Sequence, residues 1–309
     1  MVKMKIKLIA SDSMGTRSMA TYVETEDVKI FIDPGVALGP SRYGLPPHPL
    51  EVKRLDEHWR EVVRYASKAE VIVVTHYHYD HHSPWDDLDI YDGKLVLIKH
   101  PKEKINRSQI GRAAFFLEQI KGKPSRLEYC DGKSFSFGNT VVKFSKPVYH
   151  GTNPKLGYVV EVLIEDGSME TFLFTSDVEG PSIQDQVDFV LESKPNILYV
   201  DGPMTYMLGY RYSLKSFDES IKNLVKVVET CPLKTLILDH HLLRDLEWEN
   251  RVLEVIRKAS KRRIEVTTAA KFAGKPQDML EARRKELYEK YPVSKDEKHK
   301  VSERVFSCE

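Results

Sequence analysis

Four histidines and one aspartate occupy seven consecutive positions, His76 to His82 (HYHYDHH), in a chain of 309 residues that has eleven histidines in all. On an extended backbone, residues two apart project to the same side. His76 and His78 can therefore point into one site, with Asp80 at the next such step. His81 can turn the other way as the chain leaves its strand. Imidazoles at this spacing, completed by carboxylates, suit zinc or a similar divalent metal. A lone histidine is ordinarily structural; four with an aspartate, directly after the apolar run Val71 to Val74, point to a metal cage.

The elements that must position this cluster can be read from pattern. MKIKLIA, MATYVET and VKIFID have strand character, and a loop rich in Pro and Gly, Val36 to Pro49, follows Asp33-Pro34-Gly35. Leu55, Trp59, Val62, Val63 and Ala66 mark a helix, and Val71 to Val74 is a strand covered on both faces. KLVLI is a strand, and Ile110 to Ile120 carries a helical stripe. Residues 125–176 return to strands: RLEYC, SFSF, TVVKFS, GYVVEVLIE and TFLFTS. Ser182 is the expected N-cap of the next helix. ILYVD, TLILD and RIEVTT then alternate with helices around 217–228 and 245–260. Pro276 onward reads as a charged, solvated helix and tail. This rhythm fits a layered α/β fold with mixed sheets. The expected division is a main domain over 1–275 and a charged C-terminal helix and tail over 276–309, packed on the domain or extending from it.

Lys and Arg number 47 against 46 Asp and Glu, so no large basic field is evident that would gather nucleic acid by charge alone, and local basic patches stay open. Cys130, Cys231 and Cys308 lie far apart and form no C-x-x-C pair, which suits a reducing compartment. The alternating N-terminus lacks the apolar core of a signal peptide, and no run is long enough to span a membrane. A cytoplasmic protein is expected.

THYHYDHH resembles the H-x-H-x-D-H signature of the metallo-β-lactamase-fold superfamily, and further stretches resemble its other motifs in order: FIDPG, KPVYHG, FLFTSDVEG and TLILDHHLLRD. The resemblance spans residues 4 to 268. It implies a four-layer αββα sandwich, two mixed sheets flanked by helices, with a one- or two-metal site between the sheets. Transferred motif by motif, it implies His76, His78 and His150 on one metal, Asp80, His81 and His240 on a second, and Asp177 bridging them. His241 is the alternative to His240. Asp33 is implied as a supporting carboxylate, and His82 as a supporting or helix-start residue. Two zinc ions per chain are expected, with iron or manganese as alternatives. Zinc lowers the pKa of a bound water from about 16 to roughly 7, so a zinc-bound hydroxide could attack an ester, lactone, thioester or phosphodiester. Asp80 is the catalytic candidate, orienting the nucleophile or carrying a proton.

Departures from the pattern narrow the branch. Flavin-linked diiron members have Glu where this chain has His78, and exported β-lactamases place a cysteine in the second-metal set. The His doublets at 81–82 and 240–241 and the loop with GYRYS look more like an archaeal-type branch of predicted metal-dependent hydrolases. A small-molecule substrate is expected; a nuclease acting on RNA or DNA and an iron-dependent redox enzyme are the alternatives. The oligomeric state is left open. Tyr206, Tyr210, Arg211 and Arg244 are candidate substrate residues, with Arg244 also able to pair with Asp245, and Arg42 and Tyr43 stand in the loop after the first motif. His48, His58, His100 and His299 lack ligand spacing and are read as ordinary histidines.

Overall fold

Two strand-rich halves alternate their apolar side chains so that each sheet buries both faces. In the computed structural model, which describes residues 4–298 and residue 301, the first sheet has the order β1 (Lys5–Leu8), β2 (Thr21–Glu24), β3 (Lys29–Ile32), β4 (Val71–Val74), β5 (Leu95–Ile98) and β6 (Arg126–Tyr129). The second sheet runs, from one edge to the other, through β7 (Ser134–Phe137), β8 (Thr140–Phe144), β11 (Val162–Glu165), β12 (Thr171–Phe174), β13 (Ile197–Asp201), β14 (Thr235–Asp239) and β15 (Glu265–Thr267). A two-stranded ribbon, β9 (Val148–Tyr149) with β10 (Tyr158–Val159), lies apart from both. His299 and Cys308 lie outside the described residues.

The period-two pattern decides the layers. Ile30, Ile32, Val71, Val73 and Leu97 of the first sheet meet Val162, Ile164, Phe172, Phe174, Tyr199 and Ile237 of the second in one core. The alternate residues face outward. Phe31, Ile72, Val74, Val96 and Ile98 pack under α1 (Pro49–Ala66) and α2 (Arg107–Gln119). Leu163, Leu173, Leu198, Val200, Leu236 and Leu238 pack under α3 (Asp185–Ser193), α4 (Leu214–Thr230) and α6 (Leu253–Lys261). The result is the four-layer αββα sandwich of the metallo-β-lactamase fold.

Strand direction places the site. β3, β4 and β5 run parallel, as do β12, β13 and β14, so the C-terminal ends of β3 and β4 deliver Asp33 and the histidine cluster. Those of β12, β13 and β14 deliver Asp177, Asp201 and His240.

Several boundaries differ from the sequence pattern. GYVVEVLIE is two strands, β10 and β11, separated at Val160 and Glu161. The helix expected from Ser182 begins at Asp185, with Gln184 in the cap position. The helix expected over 245–260 divides into α5 (Trp248–Arg251) and α6 at Val252. His48 caps α1, its Nδ1 accepting from the Leu50 amide at 3.2 Å while its own amide donates to Glu51 at 2.7 Å.

The segment after Pro276 is not a solvated cap. Helix there is confined, up to Lys290, to α8 (Arg284–Lys290), and Arg284 is wholly buried. Its guanidinium donates to both carboxylate oxygens of Glu51 at 2.8 Å and to the carbonyls of Gly39 and Leu45. Arg17 binds Glu281 in the same two-bonded way at 2.7 Å. α7 (Ala269–Phe272) contributes Ala269 and Ala270 to the central core. Among the described residues, no helix is long and apolar enough to cross a membrane.

Candidate metal centre

β4 is wholly buried, so the chain leaving it carries Thr75 and His76 into the interior before turning back. The turn packs against Gly35, where a Cβ would lie 2.3 Å from the His82 amide nitrogen. His76, His78, His150 and Asp177 each bring one ligand atom to within 4.8 Å of the others. Asp80, His81, Asp177 and His240 form a second such group.

Asp177 belongs to both groups. Its Oδ2 lies 3.1 Å from His150 Nε2 and 3.6 Å from His76 Nε2, while its Oδ1 lies 3.0 Å from His81 Nε2 and 3.1 Å from His240 Nε2. Asp80 adds its carboxylate at 3.7 Å from His240 Nε2 and 4.0 Å from His81 Nε2. Among the described residues, the Nε2 atoms of His76, His81 and His150 and Oδ1 of Asp177 are buried without a hydrogen-bond partner. Buried polar atoms are rarely left so; ligands awaiting a cation are one reason they would be.

A second layer aims these rings. Asp33 Oδ2 lies 2.8 Å from His81 Nδ1 and accepts the Thr75 hydroxyl at 2.6 Å, while Oδ1 accepts the Thr75 amide at 2.8 Å. Asp12 does the same for His240, with Oδ2 at 2.7 Å from Nδ1 and Oδ1 accepting from Arg244 Nε at 2.7 Å. An Nδ1–H given to a carboxylate leaves Nε2 as the ligand atom and fixes the ring. Asp33, Ser176, Glu179 and His240 all adopt positive φ, between 52° and 57°. Such non-glycine conformations persist only where surrounding contacts enforce them.

The charges follow this geometry. Burial would push His81 down, but Asp177, Asp80 and Asp33 outweigh it and hold its pKa at about 10. His240 is raised likewise, Asp177 and Asp12 overcoming its burial. Burial and the neighbouring His81 push His76 down to about 3. Asp177 is held well below the usual carboxylate range, because His240 and His81 outweigh its burial. Clustered carboxylates that demand buried positive charge are where divalent ions bind, displacing the imidazole protons. The residues fit such ions.

The two neighbouring histidines take different carboxylates, although His241 also groups with Asp177 and Asp201 within 4.8 Å. His240 turns into the cage, whereas His241 Nδ1 lies 3.0 Å from both oxygens of Asp201. His82 faces the helices instead of the cage: its Nδ1 meets the His78 carbonyl at 3.0 Å and its ring packs edge-on to Phe116. His48 caps a helix, and the buried His58 bonds Thr16 Oγ1 at 2.7 Å through Nδ1.

A cavity of about 410 Å³ opens over the cage and reaches His78, Asp80, His150, Asp177 and His241. Tyr206, Arg211 and Arg244 line it, but Tyr210 does not and stands 84% exposed. Arg244 does not pair with Asp245; it pairs with Asp12, and Asp245 accepts from Arg251 instead. Arg42 stacks over the Tyr206 ring at 4.5 Å and donates to the Arg244 carbonyl. Tyr43 bonds the Ala282 carbonyl.

No family model matches the chain. It is 60% identical over 294 residues to a UPF0282 protein of Korarchaeum cryptofilum, covering 95% of this chain and 97% of that one. The chain belongs to the UPF0282 family. The UPF0282 protein of Metallosphaera sedula is 46% identical over 288 residues, covering 92% of this chain and 93% of its own. That of Methanocaldococcus jannaschii is 42% identical over 294 residues, covering 92% and 96%. These are archaeal relatives, in line with the archaeal-type branch expected from the His doublets. Among solved structures, the UPF0282 chain is similar to a possible metal-dependent hydrolase from Veillonella parvula, with a TM-score of 0.50 and 16% identity over 85% of this chain and 95% of that one. It is also similar to unliganded yeast PDE1, with a TM-score of 0.52 and 15% identity over 87% and 98%. At such identities the likeness shows a shared fold.

Asp12, Glu179 and Asp201 of the UPF0282 chain went unread in the sequence. Asp201 carried a usable signal: ILYVD ends in aspartate as TLILD does, and the two strands pair in parallel with Asp201 beside Asp239. Asp12, which opens a short 3-10 turn (Asp12–Met14) after β1, carried none.

Proposed function

We propose that the protein is a metal-dependent hydrolase working through two divalent ions, zinc by the character of the donors. One observation carries this reading: Asp177 directs one carboxylate oxygen at His76 and His150 and the other at His81 and His240. His76, His78 and His150 would hold one ion, Asp80, His81 and His240 the other, and Asp177 both. Ions so placed supply a water of lowered pKa and Lewis acidity toward a developing oxyanion. The chain's own groups do the rest. Asp33 and Asp12 fix the tautomers of His81 and His240. Asp80, the cage carboxylate with a side chain 16% exposed, meets the cavity and can orient the attacking water or carry its proton.

The substrate in this reading is a small molecule. The cavity volume suits a ligand of that size, and the near-balance of charge supplies little long-range attraction for a nucleic acid.

The test is the metal content of protein purified without chelator or affinity metal, followed by a panel of esters, lactones, thioesters and phosphodiesters. About two zinc ions per chain and turnover that His78→Ala abolishes are expected. Iron in their place would favour redox chemistry. Failure to retain any metal after zinc is offered would defeat the proposal.

A further inference from the structure

The cavity wall is divided by chemistry, and this bears on the substrate of the hydrolase site just proposed. One part of the lining is aromatic: Trp59, Tyr79 and Trp85. Trp59 is held by its indole N–H donating to Asp87 at 2.7 Å, and Tyr79 packs on Trp85 with ring centres 4.4 Å apart. Arg112 stacks over the Tyr79 ring at 4.4 Å, and the Tyr79 and Trp85 rings are tilted by 55° to each other, so Trp85 and Trp59 are the rings a flat group would meet.

Two further arginines line the cavity, Arg244 beside the cage. Arg244 Nη2 approaches His240 Nε2 at 3.4 Å, but its charge is already matched by Asp12. Arg211 is different. It lies near enough to attract the buried carboxylate of Glu179, which is itself 3.6 Å from His150 Nδ1. Its guanidinium makes no hydrogen bond or ion pair among the described residues; the residue is exposed and lines the cavity, so the charge is free to meet a ligand there.

The geometry points to a phosphate ester with an aryl or heterocyclic group as the substrate, its charge met by Arg211 and its planar part lying along Trp85 and Trp59. A guanidinium matches phosphate oxygens two at a time, and aromatic faces favour a flat partner. The decisive point is position. Arg211 lines the same cavity as His78, Asp80, His150 and Asp177, on the side of Glu179 and His150, so one ligand can meet the guanidinium and the cage together, as the charged centre of a phosphate ester would. A carboxylic ester or lactone carries no charge for that guanidinium to meet. In the reaction the water oxygen bonds to phosphorus as the bond to the alcohol oxygen breaks. The leaving oxygen takes up a proton, and a diester yields an alcohol and a phosphate monoester.

Two measurements on the zinc-loaded full chain test this. One compares hydrolysis of bis(p-nitrophenyl) phosphate with that of p-nitrophenyl acetate. The other measures binding of phenylphosphonate and methylphosphonate by calorimetry. Loss of one charge-assisted contact is worth about tenfold to a hundredfold. R211Q is expected to lower kcat/KM for the phosphodiester by that factor, mainly through KM, and by far less for the acetate. It should weaken phenylphosphonate binding equally. Trp85→Ala should weaken phenylphosphonate more than methylphosphonate. Equal losses on both esters, or phosphonate binding indifferent to Arg211, would overturn the inference. Arg211-dependent phosphonate binding without turnover of any ester would keep the anion site and defeat the hydrolase reading. Turnover of neutral esters without phosphonate binding would do the reverse.

Discussion

Asp201 grips His241 by placing both carboxylate oxygens 3.0 Å from Nδ1, and this leaves the neighbouring His240 as the ring that enters the cage. The backbone cooperates: β14 ends at Asp239, His240 takes a φ of 56°, and the next residue is already turned toward Asp201. Two adjacent histidines are thereby given different partners.

The doublet separates by mutation. His240→Ala removes a cage atom that faces Asp177 at 3.1 Å and should release the ion on the Asp80 and His81 side. His241→Ala removes none of the seven proposed ligands and should keep both ions. Elemental mass spectrometry after gel filtration reads the difference, and metal loss in the second variant alone would reverse the assignment.

Asp33 offers a graded version of the same test. It accepts from Thr75 twice and orients His81, at 0% exposure. Loss of such an orienting carboxylate typically weakens metal affinity about 10- to 100-fold. Asp33→Asn should show that loss in chelator competition while the other cage group still holds metal. Unchanged affinity would mean that His81 needs no support from it.

How far the sequence reveals this site depends on distance along the chain. The motif residues end apolar strands, and a β-branched run followed by His or Asp is a local pattern that a single sequence displays. The partners of those residues are not local. Asp12 meets Arg244 across 232 positions and Arg284 meets Glu51 across 233, so Arg244 looked like a partner for nearby Asp245, and the charged C-terminal segment looked solvated. Helix starts misled for a related reason: a serine after proline is a sound cap signal, but Gln186 binds the carbonyls of Tyr149, Gly151 and Val178, and its side chain also accepts from the Ile183 amide. Tertiary contacts there outrank the local cap.

His58 gives a pH dependence away from the cage. Burial, followed by the nearby Lys275 and Arg54, pushes its pKa from 6.5 to about 3. Below about pH 6.5 the unfolded chain binds a proton that the folded protein refuses. Stability therefore falls as pH drops toward 3, by up to about 1.4 kcal/mol per pH unit from this group. His58→Gln should be less stable at pH 7.5, yet show a shallower loss between pH 6.5 and 4.5 in urea unfolding. Parallel curves for the two proteins would show that His58 does not contribute to the slope.

Arg284 and Glu51 link the C-terminal segment to the cavity. Both side chains are fully buried, and the same guanidinium holds the carbonyls of Gly39 and Leu45 in the loop whose Val36, Ala37 and Leu38 line the cavity wall. Removing one member of a buried pair strands the other charge, at a cost of about 3–5 kcal/mol. Arg284→Met should therefore lower Tm by roughly 10 °C, and the double variant Glu51→Gln/Arg284→Met should recover part of that loss, since no charge is then stranded. If the loop is held by these bonds, both variants should also raise KM for any substrate the cavity accepts, with metal content unchanged. A Tm fall without a change in KM would separate the clamp on the fold from the shape of the cavity.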